Sequence, residues 1–138
     1  MVFLRPTGPL LPSGLIERAI MMLSEDAEAD CVRSIAEAAC TPYKMWKKEG
    51  RYLKPFTQLE GKESYNMPRQ KLPKVYSQQG VLDVIRSSTI LEKKSVSGTR
   101  ILPIEIESSF LTVDIDQPVD LLMAELFIKY NKNAASNT

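Results

Sequence analysis

Residues 111–127, LTVDIDQPVDLLMAELF, pass from an apolar segment through two aspartates into a helix-like pattern, and this order decides how the rest of the chain is interpreted. The apolar residues predict a short final strand over 113–115, and Pro118 suits the first position of a helix predicted over 118–130. The expected inner face of that helix carries four apolar side chains, Val119, Leu122, Met123 and Leu126.

Asp114 and Asp116 lie where the predicted strand gives way to the helix. A spacing of two residues places both carboxylates on one face of an extended strand, and Mg²⁺ typically takes one or two protein carboxylates together with water and phosphate oxygens. A second interpretation needs no metal, because acidic residues are common between a strand and a helix and Asp120 would stabilise the first helical turn. The spacing alone leaves both interpretations open.

The bulk composition predicts a single domain without a general attraction to polyanions. The chain has 138 residues, enough for one hydrophobic core, and its 18 basic and 17 acidic residues leave it nearly neutral. We therefore expect no nucleic-acid partner and no membrane surface. No apolar run reaches the roughly 20 residues of a membrane span, and the amino end lacks a signal-peptide pattern, so a cytoplasmic location is expected.

The chain contains no histidine and only two cysteines, Cys31 and Cys40. This composition excludes zinc-finger patterns and any catalytic pair of histidine with cysteine or serine. The cysteines are expected to be small buried residues, with a redox pair as the alternative. A reaction that depends mainly on positioning and a metal suits such a sequence better than one that needs a histidine base.

Apolar patterns in the first half predict strands and helices in alternation. MVFLR, residues 1–5, predicts a strand buried on both faces of a parallel sheet, and 14–24 predict a helix with Ser13 as its N-cap. Residues 31–40 fit either a helix or a strand, whereas 43–56, YKMWKKEGRYLKPF, predict a hairpin. The predicted apolar face of the first helix consists of Ile16, Ala19, Ile20 and Leu23.

The second half begins with a long polar segment, 57–80, of the kind that is usually functional or disordered. The pattern as a whole predicts an α/β fold. The remaining predicted elements are a strand over 81–85, a helix over 88–94 capped by Ser87 or Ser88, a strand over 101–106 and a frayed polar tail over 131–138.

Four blocks of sequence, in their order and spacing, resemble the acylneuraminate cytidylyltransferase family, the CMP-sialic acid synthetases. The resemblance covers nearly the whole chain and corresponds to about the carboxyl-terminal two-thirds of such an enzyme. It implies an enzyme that joins CTP to a nine-carbon sugar acid such as N-acetylneuraminate and releases pyrophosphate, with Mg²⁺ as cofactor. The blocks are VFLRPTGPL (2–10), TPYKMW (41–46), NMPRQKLPKVYSQQG (66–80) and TVDIDQPVDLLMAE (112–125).

The same resemblance implies a fold and an assembly. The fold would be a three-layer, Rossmann-like nucleotidyltransferase sandwich over 1–130, truncated at its amino end, with a small dimerisation insert at about 41–79. The usual assembly of the family is a homodimer. Within the sandwich, MVFLR would be a central strand and residues 31–36, CVRSIA, would form a strand rather than a helix.

The resemblance also assigns candidate site residues. Asp114 and Asp116 match the family's metal-binding DID pair and are therefore the expected catalytic and metal-binding residues. Arg69 matches an arginine of the insert that reaches toward the sugar, where it would pair with the substrate carboxylate beside Gln70; the alternative for Arg69 is a solvated loop charge. Thr7 keeps its place in the family's PT motif, where it would either contact substrate or cap a turn.

Several substrate-side positions depart from the family pattern. Arg5 replaces the usual glutamine of QPTSPLR, Gly8 replaces its serine and Leu11 its arginine. Gln79 replaces an asparagine, and Asp83 stands where some members have a tyrosine that contacts substrate. Arg5, Gln79 and Asp83 are expected to border the substrate, and the departures leave the identity of the sugar and of the nucleotide open.

Members of the family begin with a glycine- and lysine-rich loop, of the form ARGGSKGIPxKN, that cradles the CTP triphosphate, and nothing like it occurs in this sequence. We therefore expect the chain to lack the triphosphate site and to be inactive alone. We also expect an exposed apolar strand edge at 2–4 that leaves the chain marginally stable or prone to aggregate. Two alternatives to part of a CMP-sialic acid synthetase remain. One is a non-catalytic dimerisation or interaction module, and the other is a relative that uses another sugar or nucleotide.

Overall fold

The computed structural model describes residues 1–8, 11–106 and 114–135, which form a mixed α/β fold. A four-stranded mixed sheet has the strand order β1-β5-β2-β6, and β3 and β4 form a separate two-stranded sheet. In chain order the elements are β1 (Val2–Leu4), α1 (Leu15–Glu25), β2 (Cys31–Glu37), β3 (Trp46–Glu49), β4 (Tyr52–Pro55), β5 (Tyr76–Ile85), α2 (Ser87–Leu91), β6 (Ile101–Glu105) and α3 (Pro118–Ala135).

The chain divides into two compact units. The first unit comprises Met1–Ala36 and Gln78–Thr138, and the second comprises Glu37–Ser77. The insert expected from the family resemblance, 41–79, overlaps the second unit. None of the helices in the described ranges is both long and apolar enough to cross a membrane.

The hydrophobic core of the first unit lies between α1 and the sheet. Strand β2 pairs in parallel with β6, from Cys31 opposite Ile101 to Ile35 opposite Glu105, so the ambiguous segment 31–40 is a strand over Cys31–Glu37. The apolar side chains of α1 and of the strands remove one another from water, which is the main source of stability for such a layer. The core cluster consists of Leu15, Ala19, Leu23, Ala29, Val32, Val81, Leu82, Val84, Ile104 and Ile106.

Strand β1 lies at an edge of the sheet. It pairs antiparallel with β5, with Phe3 opposite Asp83, and its three side chains are 40 to 47% exposed. The prediction of a central strand buried on both faces of a parallel sheet is therefore wrong, because among the described residues β1 pairs only with β5, in antiparallel orientation, and its side chains stay partly exposed. The prediction of an exposed apolar edge at 2–4 is confirmed.

Helix α1 differs from its prediction at both ends and on its face. Its N-cap is Gly14, at a φ of 71°, so the predicted cap at Ser13 is wrong. Ala19 and Leu23 are buried as predicted, whereas Ile20 is exposed. At the other end Arg86 donates from Nε to the carbonyl of Ala29 at 2.7 Å and from Nη2 to the carbonyls of Leu23 and Asp26, which satisfies acceptors that a helix end leaves unpaired.

The second unit contains the predicted hairpin, β3 and β4, which is confirmed, with Trp46 opposite Pro55. The ring of Trp46 packs on Tyr65, with the ring centroids 4.7 Å apart. The polar segment 57–80 is less irregular than predicted, because it forms two single turns of 3₁₀ helix, at Ser64–Asn66 and Arg69–Lys71, and then enters β5 at Tyr76.

Two further elements agree with their predictions only in part. Strand β6 matches its predicted range apart from the last residue. Helix α2 begins one residue before its predicted start and ends at Leu91, and its N-cap is Arg86, so the predicted caps at Ser87 and Ser88 are wrong. The predicted strand over 113–115 falls partly outside the described residues, and Asp114 and Ile115 are not in a strand.

Helix α3 begins at Pro118 as predicted but buries a different face. Its backbone is helical through Ala135, so the predicted frayed tail is wrong for 131–135, and 136–138 lie outside the described residues. Ala124 is buried, whereas the four side chains of the predicted inner face are 56 to 62% exposed. Periodicity identifies an apolar stripe but not what covers it, and the described part of the molecule covers only the side that Ala124 occupies.

Candidate functional site

The segment that carries Asp114 and Asp116 is held beside the loop that follows β1. The backbone N–H of Ile115 donates to the carbonyl of Thr7 at 2.9 Å. Asp114 and Asp116, on either side of Ile115, are both exposed. The structure therefore brings together two of the predicted site segments, through a contact made by the main chain.

Asp120 fixes the junction between this segment and α3. Its Oδ2 accepts from the backbone N–H of Gln117 at 2.7 Å and of Asp116 at 3.1 Å. Because Asp120 is the third residue of the helix, this is one half of a capping box, and its negative charge also lies at the favourable end of the helix dipole. Asp120 thus serves the helix, and the exposed acids of the segment are Asp114 and Asp116.

The chemistry of this donor set suits Mg²⁺. Two exposed carboxylates supply hard oxygen ligands in the number that Mg²⁺ usually takes from a protein, with water and phosphate oxygens filling its other positions. Within residues 1–8, 11–106 and 114–135, no group of three or more His, Cys, Asp or Glu side chains could form an all-protein metal site. The pair therefore fits an ion shared with a phosphate ligand, not a closed structural site.

Arg5 lies beside Gly80, the residue that follows Gln79 in β5. The side chain of Arg5 passes over Gly80, where a Cβ atom would lie 3.1 Å from Cδ and 3.2 Å from Nη1 of Arg5. The carbonyl of Gln79 accepts from the hydroxyl of Ser34 at 2.7 Å, and that hydroxyl accepts from the N–H of Leu82 at 3.1 Å. Gly80 thus leaves the space that the Arg5 side chain uses.

Asp83 is held by a partner that the sequence did not suggest. Its Oδ1 and Oδ2 accept from Nε and Nη2 of Arg33 at 2.9 and 3.1 Å, and Asp83 is only 7% exposed. This bidentate bond to Asp83 raises the pKa of Arg33 further above its ordinary value. A direct substrate contact by Asp83 would require the pair to open, so Asp83 is better placed to fix Arg33 than to meet a ligand.

Arg69 and Gln70 lie in the second unit, on the wall of a cavity of about 410 Å³. Arg69 donates from Nη1 to the carbonyl of Ala39 at 3.0 Å and from Nη2 to that of Ala38 at 2.8 Å. The guanidinium is therefore fixed in place and is not a freely solvated loop charge. Glu37 and Lys74 line the same cavity, and no motif in the sequence distinguishes them.

A second cluster that sequence reasoning missed surrounds Asp30 in the first unit. Its carboxylate accepts from Nζ of Lys93 at 2.5 Å and from the N–H groups of Thr99 and Arg100 at 2.9 and 3.2 Å. The bond from Lys93 and then those two backbone bonds hold the pKa of Asp30 well below its usual range. The sequence placed Asp30 in an acidic turn, and its partners, 63 to 70 residues away, left no local signal.

The two cysteines are not paired with each other. Cys31 is buried, as predicted, and burial together with the nearby negative charge of Asp83 raises the pKa of its thiol to about 11. Cys40 is exposed, so the prediction that both are buried is wrong for this residue.

No model of a known protein family and no curated protein matches this chain.

Proposed function

We propose that this chain supplies the metal- and sugar-binding part of a nucleotidyltransferase of the acylneuraminate cytidylyltransferase type, built on the three-layer sandwich of that family. Such an enzyme joins CTP to a nine-carbon, N-acylneuraminate-like sugar acid. The observation that carries the proposal is the 2.9 Å bond from Ile115 N–H to the Thr7 carbonyl, because it holds the Asp114–Asp116 segment beside the loop after β1. Both segments belong to blocks that carry the family resemblance.

Asp114 and Asp116 are the residues that would hold Mg²⁺, which when bound supplies positive charge against phosphate oxygens. In the proposed reaction a hydroxyl of the sugar attacks the α-phosphorus of CTP, the bond to the β-phosphate breaks, and pyrophosphate leaves. The nucleophile belongs to the substrate, so the protein needs to bind and orient rather than to provide an attacking side chain. A chain without histidine can meet that requirement.

Each unit contains side chains that are candidates for binding the sugar. Arg69 keeps further N–H donors beyond the two that bond Ala38 and Ala39, and these would pair with the sugar carboxylate beside Gln70. Arg5, Thr7 and Gln79 are the candidates on the first unit. We assign triphosphate binding to a segment outside this sequence, because the glycine- and lysine-rich loop is missing from it.

A second candidate is a non-catalytic dimerisation or interaction module, acting as a homodimer. The hairpin favours it, because Tyr52 and Leu53 are 69 and 61% exposed and a two-stranded hairpin is rarely stable without a packing partner. The two candidates differ in their response to Asp116, which a dimerisation module does not need.

The deciding experiment measures Mg²⁺-dependent pyrophosphate release from CTP and N-acetylneuraminate. The chain is assayed alone and mixed with an amino-terminal segment that carries the phosphate loop of an acylneuraminate cytidylyltransferase. We expect release only in the mixture, and we expect Asp116→Ala to abolish it. Glu125→Gln is the matched control, because it neutralises an exposed carboxylate of α3, and most activity should survive it.

Two results would contradict the proposal. One is pyrophosphate release that Asp116→Ala leaves unchanged. The other is the absence of pyrophosphate release from a folded mixture supplied with N-acetylneuraminate or legionaminate and several nucleoside triphosphates. The second result, together with a dimer that survives Asp116→Ala, would favour the interaction module.

A further inference from the structure

The cavity in the second unit has the size and the lining of a small-molecule site. Its volume of about 410 Å³ falls within the range of ligand pockets in proteins, and a monosaccharide acid would fit. The wall combines apolar side chains with a few charged and polar ones. The charged and polar residues of the lining are Glu37, Arg69, Gln70 and Lys74.

The carboxylate of Glu37 already lies between the two cations of this wall. Its Oε2 is 3.3 Å from Nζ of Lys74, and its Oε1 is 3.9 Å from Nη2 of Arg69. The guanidinium of Arg69 is fixed by two main-chain carbonyls, so it presents a preformed cation to whatever anion lies in front of it. In this structure that anion is Glu37.

The bonds that hold Glu37 are easily exchanged. Its side chain and those of Arg69 and Lys74 are all about half exposed or more, and ion pairs so open to water contribute little to stability. The distance to Arg69 is also longer than a hydrogen bond. An incoming carboxylate could therefore take the place of Glu37 at small cost, particularly if hydroxyl groups on the same molecule gain further contacts.

We propose that Glu37 is an internal stand-in for a ligand carboxylate: its own carboxylate occupies the position beside Arg69 and Lys74, and a small acidic ligand must displace it on binding. The inference rests on the proposed function, because it concerns how the cavity with Arg69 and Gln70 admits a sugar acid. It adds a source of selectivity: a neutral sugar that displaced Glu37 would leave two cations without an anion, whereas a carboxylate replaces the lost charge.

The test compares binding of N-acetylneuraminate and of its methyl ester by titration calorimetry. Glu37→Gln should tighten binding of the acid about twofold to fivefold, because the competitor is gone. The uncharged ester gains no ion pair by displacing Glu37 and should leave it in place, so Glu37→Gln should not tighten binding of the ester. Glu60→Gln, which removes an exposed carboxylate of the same unit, controls for the general increase in positive charge and should leave both affinities unchanged.

Glucuronate is titrated in parallel. This separates an error in the proposed sugar substrate from an error in the proposed role of Glu37. If N-acetylneuraminate does not bind but Glu37→Gln tightens glucuronate, the stand-in is supported and the proposed sugar is wrong. If a carboxylate binds and Glu37→Gln weakens it or leaves it unchanged, the stand-in is overturned while the proposed function survives. Failure of every carboxylate to bind both wild type and Glu37→Gln also overturns the inference.

Discussion

Gly98 lies so close to Asp30 that a Cβ atom at Gly98 would be 2.4 Å from both Cβ and Oδ2 of Asp30. Gly98 also has a φ of 67°, a conformation that other residues adopt at a cost. A side chain at this position would therefore be strained and would press against the carboxylate that Lys93 and two backbone N–H groups hold.

Gly98→Ala should lower the free energy of unfolding by about 2 kcal/mol or more, from the left-handed backbone and the overpacking together. Gly61→Ala is the matched control, because Gly61 has a φ of 64° but a Cβ atom there would meet no described atom within 4 Å beyond its neighbours in the chain. It should cost only about 1 kcal/mol, the backbone part alone. Urea denaturation of both variants measures the difference, and equal losses would contradict the close contact.

The Asp30 cluster also predicts how stability depends on pH. Because the folded pKa of Asp30 lies well below the unfolded value of about 3.9, the stability that the carboxylate contributes is present above that value and is lost as the pH falls below it. Wild type should therefore exceed Asp30→Asn in stability at neutral pH, and the gap should narrow below about pH 4. A gap that stays constant down to pH 2 would contradict the assignment.

The control for this pH series is Glu92→Gln, which neutralises an exposed carboxylate of the same unit. Its stability should follow that of wild type at every pH. Lys93→Met should behave like Asp30→Asn, because it removes the largest cause of the lowered pKa.

Removal of Arg33 should be costly, because it leaves the buried carboxylate of Asp83 without its bidentate partner. Arg33→Met should destabilise the chain by about 3 kcal/mol, whereas the double variant with Asp83→Leu should recover most of that loss. Urea denaturation of wild type, the two single variants and the double variant gives the free energies of unfolding for a double-mutant cycle. Additive losses would show that the two side chains do not act as a pair.

The two thiols should differ sharply in reactivity. Cys40 is exposed and should react with iodoacetamide at pH 8 in the native protein, whereas Cys31 is buried with a pKa of about 11 and should react only after unfolding. Mass spectrometry should find one label per native chain and none on Cys40→Ser. Two rapid labels in the native state would contradict the burial of Cys31.

The sequence predicts best the elements whose signals lie within their own segment of the chain. The alternation and aromatic content of 43–56 predict the hairpin, and apolar spacing predicts α1 and β6, because these signals lie within each segment. The N-cap of α1 could not be chosen in this way, since both Ser13 and Gly14 are suitable cap residues.

Features that depend on contacts between residues far apart in the chain could not be predicted from the sequence. The exposed faces of β1 and α3 depend on which elements pack beside them, and the spacing of apolar residues carries no such information. For the candidate site, the sequence identified Asp114, Asp116, Thr7 and Arg69 through the resemblance. It did not single out Glu37, which lies between Lys74 and Arg69 in space.

The bond from Ile115 to Thr7 joins two peptide groups and uses no side chain. Every side chain in the two loops can therefore change while the loops stay together, and only proline at position 115 would remove the donor. A frame of this kind lets evolution exchange side chains on either loop without rebuilding the fold.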